Sequence, residues 1–348
     1  MVTPDTDNDR DHAFTVVTGI HGYTDAVLLC ARKQGTLIYV ADRKTPRLEK
    51  TSTIQPLDLE MQARLGFALY EHCPFDHYAR KNLGYLLAMR QGAHFILDTD
   101  DDNYIEEQHA KILDYSGLYR SVRAEAGPSR QVNVYSHFTP SFIWPRGLPL
   151  SAVHNKGVAT KVERPDGEVC VWQGLVNGDP DVDAIYRLLH GPEIDIQFDQ
   201  GLPLVLSCNT YSPFNSQNTL WTRRAFPLMY LPSTVSFRYT DILRSFIAQR
   251  CLWAMDCRVG FVGTNARQER NEHNLLKDFK DEVPCHLTVE EVTSLLDGIR
   301  LNGDPCHDLG VCYESLLGEG IVQERETLAV SAWLRDVATC VGESRSWA

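Results

Sequence analysis

Asp98, Asp100, Asp101 and Asp102 crowd four carboxylates into five residues of the run HFILDTDDDN. Side chains alternate in an extended chain, so Asp98, Asp100 and Asp102 share one face. Two such charges ~5–6 Å apart repel by ~3 kcal/mol at an effective dielectric of ~20. A fold that holds them together needs a compensating positive charge. A hard divalent cation, Mg²⁺ or Mn²⁺, is the economical choice, because it favours carboxylate oxygen and leaves sites open for phosphate. The plain alternatives are a solvated acidic turn, or aspartates capping a helix that starts near Ile105. An EF-hand loop is excluded, because neither register supplies both the sixth-position glycine and the distal glutamate. A haloacid-dehalogenase phosphatase is excluded too, because Asp102 stands where that motif needs Thr or Val.

A second concentration of charge, Arg80-Lys81-Asn82, falls in the first turns of a helix expected over 76–91, with Gly92 just past its end. Cations oppose the helix macrodipole at that end, and an anion bound there would explain them. Gly84, one turn on, leaves room for a ligand or a neighbouring backbone. A surface Arg/Lys pair beside a packing glycine is the ordinary alternative.

These residues need a frame. Ala13–Ile20 and Thr36–Ala41 read as buried strands, and His94–Leu97 as a third that runs into the aspartates. Thr24-Asp25 caps a short helix ending at Gly35, and Leu57–His72 also suits a helix. Strand and helix alternate through the first hundred residues, which predicts an α/β fold with an open, mostly parallel sheet flanked by helices. Ligands of such sheets bind beyond the carboxyl ends of the strands. Here those ends carry GIHGYTD, ADRKTP and DTDDDN. Residues 120–240, rich in Pro/Gly turns, predict a mixed, loop-rich second half. After Pro284 a helical extension is expected, with a capping box at Thr288 and Glu291 and an apolar helical face over 326–341.

Composition narrows the function. The 348 residues are 43% hydrophobic and carry 34 basic against 46 acidic side chains, a net of −12, with no basic stripe to hold nucleic acid. No apolar run nears the ~18–20 residues of a membrane span, and the N-terminus is acidic where a secretory signal is basic. The ten cysteines include no CxxC pair, so zinc-finger and disulfide frameworks are not expected. The expectation is a reduced, cytoplasmic protein whose cysteines are small core residues. Hydrolase and protease readings lack a nucleophile elbow or local signature.

The segment RKNLGYLLAMRQGAHFILDTDDDN, with ADRKTP before it and WPRGLPL after it, resembles the STELLO-type glycosyltransferases. GLVNGDPDVDAIYRL, SPFNSQNTLW, FRYTDILRSFIAQRCLW and RNEHNLLKDF extend that resemblance over about residues 13–285. A weaker similarity runs to UDP-arabinopyranose mutases, which share a strand ending in three aspartates and an RY-x-D segment. Both families imply a GT-A fold that binds a nucleotide sugar through a DxD motif and Mn²⁺ or Mg²⁺. The domain division expected is a disordered lead-in at 1–12, a GT-A-like catalytic domain at 13–285 and a helical extension at 286–348. The extension offers a surface for an oligomer.

Carried onto this chain, the resemblance makes Asp100 and Asp102 the DxD pair and turns Asp42 toward the nucleobase and Arg80 and Lys81 toward the diphosphate. Thr18, Arg43 and Asp101 complete the nucleotide set. Asp241, in FRYTDILRSF, becomes the base of an inverting transfer, or else a helix cap with Thr240. His273 becomes a third metal ligand, or a solvated loop histidine. Asp179, Asp181 and Asp183 face the donor sugar or cap a helix near Val182. Asn215, Ser216 and Gln217 offer neutral groups for sugar hydroxyls, or form an ordinary turn, and Arg146, after Trp144-Pro145, packs structurally or stacks against acceptor or sugar. The function expected is metal-dependent transfer from a UDP-sugar to an unknown glycan, small-molecule or protein acceptor. The rivals are a nucleotide-sugar mutase and a non-catalytic nucleotide-sugar-binding module. Plant STELLO proteins are membrane-anchored, so their Golgi location is not expected to transfer to a chain without an apolar anchor.

Overall fold

The computed structural model describes residues 12–107, 110–113, 115–125, 130–191, 194–269 and 274–342. In chain order the elements are β1 (Ala13–Thr18), α1 (Asp25–Gln34), β2 (Thr36–Val40), β3 (Ile54–Leu57), α2 (Leu59–Arg64), α3 (Lys81–Arg90), β4 (Phe95–Thr99) and β5 (Asn103–Ile105). Next come α4 (Ala110–Leu113), β6 (Tyr119–Arg123), β7 (Val158–Val162), β8 (Glu168–Gly178), α5 (Ala184–His190), β9 (Leu204–Leu206) and β10 (Asn218–Thr222). The chain closes with α6 (Thr240–Ala254), β11 (Cys257–Gln268), α7 (Leu275–Gly298), α8 (Pro305–Gly318) and α9 (Glu324–Val341).

The strands form one open sheet in the order β3-β2-β1-β4-β10-β8-β11-β9-β6-β7, with β5 added to β11. The first four are mutually parallel, as the strand–helix alternation predicts. β10 then enters antiparallel between β4 and β8 and opens the mixed half. β1 joins β2 on one side and β4 on the other, so the strand order reverses there. A crevice opens beyond the carboxyl ends at such a switch point. Register sets Thr18 beside Val40 and Val16 beside Asp98, which brings three strand ends level.

Local chemistry accounts for these elements. Val16 and Val17 are fully buried, so β1 is covered on both faces and needs its continuous apolar run. Thr24 caps α1, its Oγ1 accepting the Val27 N–H at 3.2 Å. α3 lies flat on the sheet because Gly84 has no side chain; a Cβ there would come within 2.5 Å of Val40 and 2.6 Å of Val16. Of the readings open for Gly84, the packing glycine is the one that holds: core side chains fill the space above it.

Three expected elements are corrected. The helix over 57–72 is instead the end of β3, the short α2 and a 3₁₀ turn at Ala68–His72. Asp336 of α9 explains the break: its carboxylate accepts the Ala68 and Leu69 N–H groups at 2.9 and 2.8 Å. The helix expected over 76–91 opens as a 3₁₀ turn at Tyr78–Arg80 before α3 begins. Thr288 caps nothing. It sits in mid-helix and donates to the Pro284 carbonyl at 2.8 Å, while α7 starts earlier, capped by Asn274, and carries Pro284 in its interior.

α7 runs through 285/286, and side chains of α7, α8 and α9 join the same apolar cluster as β1 and α3. Glu326 takes the Ser233 and Thr234 N–H groups, and Trp333 Nε1 donates to the Pro227 carbonyl at 2.8 Å. Residues 1–11 of the expected lead-in lie outside the described residues; His12 holds the start of β4 through its carbonyl and the His94 N–H. No helix among the described residues is long and apolar enough to cross a membrane.

Candidate active site

A cleft of about 410 Å³ opens at the switch point. Thr18, Asp42, Asp100, Asp101, Asp102, Arg146, Asp181, Gln217 and Asp241 line it, along with Asp76, Tyr78, Phe237 and Gln268.

On the β4 wall, the sheet carries Asp98 into the interior and the following turn leaves Asp100–Asp102 facing the cleft. Asp98 is fully buried between two cations: Lys81 Nζ at 2.7 Å and Arg244 at 2.9 Å. Lys81 also donates to the Thr99 carbonyl at 2.6 Å and lies 3.3 Å from Asp100 Oδ1. The protein itself thus neutralises the innermost aspartate, where the sequence pointed to a metal.

Lys81 is sealed under this wall and does not line the cleft, so its expected place against a diphosphate is corrected. Arg80 is corrected likewise. Its guanidinium is buried on Gln62 Oε1 and the Cys73 carbonyl and stacks 4.3 Å from the Phe75 ring centroid. The buried amide of Gln62, not an anion, is what the helix-start arginine answers.

The cleft-facing aspartates crowd one wall. Tyr78 donates its hydroxyl to Asp100 Oδ1 at 2.6 Å. Burial, reinforced by Asp102 and Asp98, nevertheless pushes the Asp100 carboxyl up to about 6, against the opposing pull of Lys81 and Tyr78. Burial and then Asp100 raise Asp101 as well. Asp101 packs over Gly19, where a Cβ would lie 2.1 Å from its Oδ2. Asp102 accepts from Gln268 Nε2 at 2.9 Å.

The opposite wall is built around Arg146. Its Nε and Nη2 form a fork on Asp181 at 2.9 and 2.8 Å, and its Nη1 and Nη2 reach Asp241 at 3.1 and 2.9 Å. Burial alone would lower this guanidinium, but the two carboxylates outweigh it and hold the group firmly cationic. Arg146 is therefore an ion-pair centre and not a stacking surface. Asp241 makes no side-chain capping bond for α6; it takes Arg146 and the Ser216 N–H.

The other expected residues separate cleanly. Asp42 lines the cleft, with Oδ1 taking the Arg43 N–H at 2.7 Å. Thr18 donates to the Val40 carbonyl at 2.9 Å. Arg43 turns outward into an ion pair with Asp76 and leaves the cleft. Asn215 and Ser216 are buried behind the wall and do not line it: Asn215 Nδ2 donates to Asp181 at 2.8 Å, and Ser216 Oγ accepts from Arg244 at 2.8 Å. Their neighbour Gln217 is the one that reaches the cleft. Asp183 caps α5, and Asp179 pairs with Arg187. His273 lies outside the described residues.

The sequence reading missed His77, Tyr78 and Phe237. Phe237 stays 54% exposed in the cleft and packs edge-on against both His77 and Tyr78. Burial lowers His77, which is neutral in the structure, since its Nδ1 accepts the Ala79 N–H at 3.0 Å. The signal lay in the FRYTD segment, where an aromatic precedes the acid by four residues.

A parallel block ordered 3-2-1-4, with an acid-lined cleft at its switch point, defines an α/β protein with a candidate ligand cleft beyond its strand ends. The comparisons sharpen that class. The family model described as STELLO glycosyltransferases matches residues 238–325. The chain is 33% identical over 299 residues to "Probable glycosyltransferase STELLO2" of Arabidopsis thaliana, which covers 81% of this chain and 38% of that protein. It is 32% identical over 300 residues to "Probable glycosyltransferase STELLO1" of the same plant, with the same coverage. The chain is a relative of the STELLO glycosyltransferases, and it spans well under half the length of the curated relatives it matches.

Proposed function

We propose that this chain transfers a sugar from a nucleoside-diphosphate donor, UDP-linked, to an acceptor hydroxyl, with Mg²⁺ or Mn²⁺ bound at Asp100 and Asp102. The observation that carries the reading is the crowded carboxylate wall, Asp100 to Asp102, that lines the cleft at the strand switch point. Asp98 is already neutralised, yet burial first, and then the neighbouring Asp102 and Asp98, still push Asp100 up to about 6. The donor set fits a hard cation: oxygen only, on one wall of an open cleft. Mg²⁺ is ordinarily held by one or two carboxylates together with substrate phosphates, so a closed protein cage is not required.

The bound ion would supply charge neutralisation to the departing diphosphate. This chain's residues do the rest. Tyr78 and Lys81 fix the Asp100 carboxylate, and Gln268 fixes Asp102. Thr18 and Asp42 stand at the nucleoside end, and Gln217 offers an amide to sugar hydroxyls. In an inverting transfer, Asp241 takes the acceptor proton.

The fork of Arg146 on Asp241 favours a second reading of that residue. Held through both oxygens, Asp241 would orient a sugar hydroxyl together with Asp181 and leave the proton to water.

Thermal-shift titration of UDP, GDP, CDP and ADP, with and without Mn²⁺, tests the central reading. UDP is expected to raise the melting temperature only with the metal. If no nucleotide stabilises the protein under any metal condition, the reading fails. Binding without turnover of any UDP-sugar would leave a nucleotide-sugar-binding module.

A further inference from the structure

At the far end of the sheet from the cleft, the first residues of β8 and β11 lie side by side, Cys257 in register with Glu168. A register shift between Arg258 and Val259 turns Cys170 onto the same spot. The two sulfurs stand 2.8 Å apart, inside van der Waals contact, and neither is in a disulfide. Ligand atoms of Glu168, Cys170 and Cys257 all lie within 4.8 Å of one another. The mechanism above uses none of these residues, and the cysteine spacing in the sequence gave no hint of them.

The geometry points to a binding site for a thiophilic divalent cation of the zinc class, held by Cys170 Sγ, Cys257 Sγ and the Glu168 carboxylate. Thiolate sulfur and carboxylate oxygen are both zinc donors, and three protein ligands leave a fourth position to water. Zinc–sulfur bonds of about 2.3 Å separate tetrahedral sulfurs by about 3.8 Å, so the thiols part by about 1 Å on binding. Binding an ion there would relieve their crowding.

Charge supports the assignment. Two thiolates and a carboxylate around a dication leave one negative charge, and Arg224, already paired with Glu168, balances it. Ligating carboxylates are commonly hydrogen-bonded by such an outer partner. Arg258, the other nearby cation, is engaged by Asp166 and Asp256 and does not oppose the ion. Glu168 is half exposed and gives the metal its way in, while both cysteines are fully buried. A closed ion would tie β8 to β11 at their amino ends. The cleft lies roughly 35 Å away along the twelve residues of β11.

The experiment uses the full chain, purified without chelator and kept reduced with a non-thiol phosphine. About one zinc per chain is expected by elemental mass spectrometry. Cobalt exchange is expected to give a thiolate-to-cobalt charge-transfer band in the near ultraviolet. Cys257→Ser should abolish both signals. Glu168→Gln changes a half-exposed residue and so tests the site without threatening the fold; it should weaken zinc binding by about 10-fold or more. Metal-free protein with no cobalt band overturns the proposal. So does a Cys170–Cys257 disulfide in the intact mass of protein alkylated before any reductant is added, and so does unchanged zinc affinity in Glu168→Gln.

Discussion

The two acidic walls of the cleft treat their carboxylates in opposite ways. On the Arg146 wall, Asp181 and Asp241 flank one guanidinium that donates to both, so direction and charge are fixed together. On the β4 wall, Lys81 and Arg244 neutralise the buried Asp98, Lys81 reaches on to Asp100, and burial with the acidic neighbours still holds the Asp100 carboxyl raised. A carboxylate held in a fork is a rigid tool for orienting a neutral group. A buried carboxylate crowded by others is a place for an incoming cation. One cleft offers both, which suits the proposed donor, with its charged diphosphate and neutral sugar.

The contrast is tested most harshly at the buried cation. Lys81→Met removes one of two partners from a buried aspartate, and breaking such a pair costs about 3–5 kcal/mol. Urea denaturation should report that loss; a cost near zero would mean Arg244 alone suffices and the two walls are less different than drawn.

Next in size is Asp241→Asn, which keeps the shape of the Arg146 fork. Transfer is expected to fall ~10²-fold or more with donor affinity nearly intact if Asp241 is the base. A fall in sugar binding with little change in the chemical step assigns it to orientation.

Asp102→Asn should weaken Mn²⁺-dependent UDP binding about 10-fold by calorimetry, and should leave the stability of the metal-free protein unchanged or slightly raised. Equal affinities would remove Asp102 from the metal site.

The smallest effect concerns Asp100. Its folded carboxyl is raised to about 6 from an ordinary 3.8, so the folded state retains a proton that the unfolded chain has lost. Stability therefore falls as pH rises through that window, and the full cost is present above about 6. Asp100→Asn should raise the melting temperature by about 1–3 °C at pH 8 and by progressively less as pH drops toward 4. The same titration should weaken metal-dependent nucleotide binding below about pH 6.

Legibility followed sequence distance. The aspartates are consecutive, so their crowding was plain, and the strand ends that hold them followed from the alternation of the first hundred residues. Their partners were not plain: Arg244 comes from α6, far along the chain, and joins Asp98 only through packing. Arg80 misled because a helix start was weighed without Gln62, which takes its guanidinium inside. The Arg146 fork draws on positions 35 and 95 residues away, beyond any local pattern. α7 concealed its true start because Pro284 reads as a helix boundary, yet lies inside the helix.

Lys81 and Lys44 also form an internal chemical clock. Lys44 stands exposed on the rim of the cleft, while Lys81 is sealed by Asp98, Tyr78 and the Thr99 carbonyl. An acylating reagent for primary amines will modify Lys44 promptly and leave Lys81 untouched until the surrounding structure opens. A ligand in the cleft slows the first reaction, and a stabilising one slows the second. The ratio of the two labels in one digest then separates occupancy of the cleft from opening of the fold beneath it.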